Sequence, residues 1–113
     1  MTRKDNIAVA IASSQPLGVD VEPADRDTRS ILDSFATTDE IELVDQLVQS
    51  QPDAGWETRL WCAKEAAGKA RGTGLNGYPK RLQVREADES GRMLVQDTET
   101  SHNFEIQTTQ WDT

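Results

Sequence analysis

Two short stretches of this chain concentrate residue types able to do chemistry on phosphate. Trp61 to Lys69 reads Trp-Cys-Ala-Lys-Glu-Ala-Ala-Gly-Lys, which puts a carboxylate, Glu65, and two ammonium groups, Lys64 and Lys69, on one helix-like segment. Gly18 to Glu22 reads Gly-Val-Asp-Val-Glu, which puts two more carboxylates, Asp20 and Glu22, two residues apart. Side chains repeat every two residues along a strand, so these two acids share a face. Three carboxylates can hold a divalent cation, and lysines can meet phosphate oxygens. Taken alone, an acid pair on a strand reads as a solvated face. Glu65 with Lys69 alone reads as an ordinary i, i+4 helix ion pair, worth roughly a few tenths of a kcal/mol. Their conjunction is what points to chemistry on a phosphorylated substrate.

The elements that must position these groups follow from local pattern. Ile7 to Ala12 is an apolar, β-branched run, and Val19 to Glu22 alternates apolar with acidic residues. With the turn-like Ser13–Gly18 between them, they read as a hairpin in which Val19 and Val21 face the core and Asp20 and Glu22 the other side. Ile31, Leu32 and Phe35 predict a short helix. Thr37 followed by Glu40 fits a capping box that opens a helix with Ile41, Val44, Leu47 and Val48 on one stripe. Gln51 to Gly55 breaks it, and a second main helix is predicted from about Trp56 to Ala70, stopped by Gly72. Trp61, Glu65 and Lys69 lie along one side of that helix, and Gly68 inside it implies close approach by another element. Strands are predicted near Arg81–Arg85, Arg92–Val95 and Phe104–Thr108, with a polar turn at Asp88–Gly91. The expected class is α+β, a single domain over residues 1–113 with two main helices packed on a small, mostly antiparallel sheet.

Composition narrows the function classes. The chain has 113 residues and a net charge of -8, which disfavours generic nucleic-acid binding, because neutralising phosphates needs a basic surface. The charge is unevenly spread. Arg59, Lys64, Lys69, Arg71, Lys80, Arg81 and Arg85 lie in a segment whose one acid is Glu65, whereas acids dominate from Asp20 to Glu57. Such a segment can form a local anion site or simply pack against the acidic part. No stretch approaches the roughly 20 apolar residues that span a bilayer, and no signal-peptide pattern stands at the N-terminus. Cys62, the single cysteine, cannot form an internal disulfide, so the cytoplasm is the expected compartment.

A Gly-Val-Asp-Val-Glu strand followed some forty residues later by Trp-x-x-Lys-Glu-x-x-x-Lys resembles the 4'-phosphopantetheinyl transferase superfamily. Phe35 and Glu40 fall where that family carries a Phe-x-x-x-x-Glu-like element, and Ala70 to Leu75 matches the sequence that commonly follows its helix motif. The resemblance implies an enzyme that moves the phosphopantetheine arm of coenzyme A onto a serine of an acyl or peptidyl carrier protein, in polyketide or fatty-acid biosynthesis. The other product is adenosine 3',5'-bisphosphate. It implies further that Asp20, Glu22 and Glu65 ligate Mg2+, that Glu65 is the general base, and that Lys69 contacts the transferred phosphate. Lys64 is implied as a second coenzyme A contact, with the cofactor lying along the cationic Lys64–Arg85 segment. Glu40 either caps its helix or approaches the metal. Trp61 reads as a core anchor, Cys62 as a small buried residue, and His102 has no assigned role.

The length matches the short, holo-acyl-carrier-protein-synthase type, which forms trimers. Glu22 and the Trp-x-x-Lys-Glu sequence instead resemble the C-terminal half of the longer type exemplified by the surfactin-synthetase activator. The resemblance therefore implies a half-domain completed by self-association or as part of a larger synthase. The alternative is a non-catalytic half-domain that serves as an association module.

Overall fold

The computed structural model describes residues 6–12, 19–23, 29–72 and 79–112, with side chains described for 29–72 and 79–109. The elements are β1 (Asn6–Ala12), β2 (Val19–Pro23), α1 (Leu32–Phe35), α2 (Thr38–Ser50), α3 (Trp56–Arg71), β3 (Leu82–Ala87), β4 (Arg92–Asp97) and β5 (Asn103–Asp112). The class is α+β, as expected. The strands form one antiparallel sheet in the order β2-β1-β5-β4-β3, and α3 packs against all five of them. The predicted Ser13–Gly18 turn and the loop containing Leu75 lie outside the described residues.

Local chemistry accounts for both helices. The hydroxyl of Thr37 accepts the Glu40 N–H while the Glu40 carboxylate accepts the Thr37 N–H, so α2 opens on a full capping box. α3 ends at Gly72 in the left-handed region (φ 94°), whose N–H returns to the carbonyls of Gly68 and Lys69. Cys62, Ala63, Ala66, Ala67, Gly68 and Ala70 are all buried on α3. These small side chains let its backbone run close to the sheet, which is the approach that Gly68 predicts.

Alternation fixes the face that α3 covers. Leu82 and Val84 of β3, Met93 and Val95 of β4, and Phe104 and Ile106 of β5 are buried with Leu60, Ala63 and Ala67 of α3 in one core. Cross-strand partners in the register carry this face across the sheet, with Met93 opposite Ile106 and Val95 opposite Phe104. Phe35, Val44 and Trp56 extend the core to α1, α2 and the start of α3.

The strand boundaries differ from the sequence reading, most at β3 and β5. β3 begins at Leu82 because Pro79–Arg81 form a 3-10 turn, and it bulges between Val84 and Glu86. β5 runs on to Asp112 as the strand that joins the two halves of the sheet, pairing with β4 over its first part and with β1 over its second. Thr109 to Asp112 pair with Asn6 to Val9 of β1, and that partner carries the strand past its predicted end at Thr108. The Asp88–Gly91 turn forms as predicted. Gly91 (φ 94°) sits so close to the Thr108 carbonyl and the Arg59 guanidinium that a side chain there would have no room.

Candidate active site

The sheet register places the two strand acids on the helix side. Asp20 pairs with Ala10 and Glu22 with Ala8 across β1–β2, and Ala10 pairs with Thr108 across β1–β5. Directly opposed residues share a face of a sheet. Thr108 is buried and bonded to Arg59 of α3, so Asp20 and Glu22 belong to the face that α3 covers. This reverses the expected assignment of Val19 and Val21 to that face. Alternation read the apolar residues as inward, whereas the backbone register sets positions 20 and 22 on the same sheet face as Thr108. The side chains of Asp20 and Glu22 themselves lie outside the described residues.

Glu65 is half-buried near the middle of α3, and Lys69 stands exposed one turn later. Trp61, one turn earlier, is half-buried and meets Phe35 edge-on, with ring centroids 4.9 Å apart at 74°. No group of three His, Cys, Asp or Glu side chains close enough to hold a metal ion occurs among the described residues. Two of the three expected ligands fall outside that set. Their chemistry, three carboxylates on two elements packed together, suits a hard cation such as Mg2+.

The geometry gives Lys64 a task different from the expected phosphate contact. Its side chain is 0% exposed, and its ammonium donates to the Phe35 carbonyl at 2.5 Å and to Glu40 at 2.9 Å (Oε1) and 3.1 Å (Oε2). Three protons meet three acceptors, all inside the protein. Burial pushes the Lys64 amine down from its usual pKa, and the adjoining Glu40 carboxylate opposes this. Glu40 is itself fully used. Oε1 also accepts the Thr37 N–H, and Oε2 accepts the Val84 N–H at 2.8 Å, on the sheet's edge strand. Of the two roles open for Glu40, helix capping is the one observed, and the ion pair with Lys64 was not legible in the sequence.

The rest of the cationic segment is also largely engaged internally. Arg59 is buried, lies over the Trp56 ring at 3.9 Å, and donates to Thr108 and to the Ala54 carbonyl. Arg71 and Arg81 converge on Asp97, at 3.1 Å from Nη1 of Arg71 and 3.0 Å from Nε of Arg81. Lys69, Lys80 and Arg85 remain exposed. A coenzyme A lying along the whole Lys64–Arg85 segment would therefore find few of its cations at the surface.

Sequence reasoning missed Asp97, though a signal existed. Met93, Val95 and Asp97 keep one parity, so the strand's inward face ends on a carboxylate. Arg81 is the main cause that holds this carboxyl well below the usual carboxylate range, with help from the Glu99 N–H and Arg71. The folded state then binds fewer protons than the unfolded chain. The stabilisation is complete above about pH 4, the unfolded carboxylate value, and is lost as pH falls further. Asp97→Asn is expected to lower the melting temperature by several degrees at neutral pH and to flatten its fall in acid. Melting curves from neutral pH down to about pH 2.5 check both.

A cleft of about 310 Å³ lies between the start of α2 and β3. It is lined by Asp39, Glu42, Gln83 and Arg85 among others, and not by Lys64, Glu65 or Lys69. No helix among the described residues is long and apolar enough to cross a membrane.

A family profile described as "4'-phosphopantetheinyl transferase superfamily" matches residues 16–112, which takes in β2, α3 and the whole of β3 to β5. No curated protein and no solved structure matches the chain. With the profile covering most of the sequence and the acids of β2 on the face covered by the motif helix, the chain belongs to the 4'-phosphopantetheinyl transferase superfamily.

Proposed function

We propose that this protein transfers the phosphopantetheine arm of coenzyme A to a serine of an acyl or peptidyl carrier protein, in the cytoplasm and with Mg2+. The observation that supports the reading most is the backbone register that sets positions 20 and 22 of β2 on the sheet face packed by α3, the helix bearing Glu65 and Lys69. Asp20, Glu22 and Glu65 would hold the metal. Bound Mg2+ supplies positive charge against the coenzyme A pyrophosphate and the departing phosphate.

The chain's own residues supply the rest. Glu65 takes the proton of the serine hydroxyl as its oxygen bonds to the pantetheine-bearing phosphorus. The bond from that phosphorus to the bridging oxygen breaks, and adenosine 3',5'-bisphosphate leaves with the bonding pair. Lys69, exposed one turn beyond Glu65, holds charge on the transferred phosphate. Lys64 is assigned no substrate contact, because its protons are all engaged inside the protein. The active species is a homo-oligomer or a domain within a larger synthase.

Asp20→Ala tests the metal assignment. The variant is expected to lose most activity at low Mg2+ and to recover much of it as Mg2+ is raised, read by release of adenosine 3',5'-bisphosphate. An unchanged Mg2+ dependence would take Asp20 out of the site.

A further inference from the structure

We infer that the buried Lys64–Glu40 pair is a positioning device that sets where α3 presents Glu65, an inference that rests on the transferase reading above. Lys64 directly precedes Glu65 on α3, and its ammonium is held by acceptors from two other segments. The Phe35 carbonyl closes α1, and the Glu40 carboxylate stands in the first turn of α2. Glu40 in turn is fixed from two further directions, by the Thr37 N–H at 2.9 Å and by the Val84 N–H at 2.8 Å. Each oxygen of the carboxylate accepts both Lys64 and one backbone N–H, so the carboxylate can neither rotate nor slide without breaking a bond.

A helix face of small side chains makes no directional contact of its own, so its place on a sheet is fixed by bonds elsewhere, as Arg59 makes to Thr108 near the start of α3. α3 has such a face in Ala63, Ala66, Ala67 and Ala70. The hydrogen-bonded lysine supplies such bonds beside the reacting group. Glu65 sits about 100° further round the helix, so its position relative to β2 is set by the same anchor. Misplacement of a reacting group by about an ångström can cost on the order of a hundredfold in rate. The pair does something that an apolar core contact of equal volume does not: it fixes direction as well as distance.

The double variant Glu40→Leu/Lys64→Met separates positioning from folding, since well-packed apolar residues can replace a buried ion pair without loss of stability. The expected result has three parts. The melting temperature stays near the parent's. Amides from Trp61 to Lys69 exchange with solvent about tenfold faster. Turnover falls at least about tenfold while KM for coenzyme A is unchanged. Parent-like exchange and turnover in the stable double variant would overturn the inference and leave the pair as a fold staple.

If the double variant fails to fold, Glu40→Asp keeps the charges and withdraws the carboxylate by one methylene. Reduced turnover at unchanged KM is expected there, with the same faster exchange, and parent-like values would overturn the proposal. Absence of transfer in the parent would sink the transferase reading alone. Exchange at Glu65 in these variants still decides whether the pair fixes the helix.

Discussion

Glu65→Gln should abolish phosphopantetheine transfer, by on the order of a thousandfold or more, with a melting temperature close to the parent's. The substitution is isosteric and removes one negative charge from a half-buried position. Under the proposed function it takes away the proton acceptor for the serine hydroxyl and one of the three metal-holding carboxylates at once. The fold should tolerate it, because α3 is held by its buried alanines, Leu60 and Lys64. Initial rates of adenosine 3',5'-bisphosphate release, on samples matched by circular dichroism, give the answer. A variant that keeps more than about a tenth of parent turnover would remove Glu65 from the chemistry.

Lys64→Met should carry the largest stability loss of any single substitution in the helix motif. It leaves the Glu40 carboxylate, 1% exposed, with two backbone N–H groups and no counter-charge. Removing one partner of a buried pair costs about 3–5 kcal/mol, because the other charge stays desolvated. Urea unfolding at neutral pH measures the loss. Glu40→Leu in the same background should restore much of the stability. A midpoint equal to the parent's in the single variant would show that the pair contributes nothing to the fold.

The parts of this molecule that depend on neighbours in sequence were legible from it. Thr37 and Glu40 form the capping box their spacing predicts, and α3 runs from Trp56 to Arg71 and stops at Gly72 in the left-handed conformation that a glycine allows. The β1–β2 pairing was legible for the same reason. What required partners distant in sequence was not. Thr109 to Asp112 continue the strand beyond its predicted end because β1 lies beside them. The face of Asp20 and Glu22 was misassigned, since period-two alternation says which residues share a side and leaves open which side the helix covers. Lys64 looked like a phosphate ligand because its neighbours were motif residues. Its acceptors, Phe35 and Glu40, come from two elements that only tertiary packing brings to it. The cationic segment misled in the same way, with Asp97 far along the chain engaging Arg71 and Arg81.

The central claim is that the chain is a working transferase, and the mass of a carrier protein tests it most directly. An apo acyl or peptidyl carrier protein incubated with this chain, coenzyme A and Mg2+ should gain the mass of one phosphopantetheine, at its acceptor serine, and should gain none when EDTA is present. A carrier mass unchanged across several acyl and peptidyl carriers, with the chain folded and Mg2+ in excess, would contradict it and favour the non-catalytic association module.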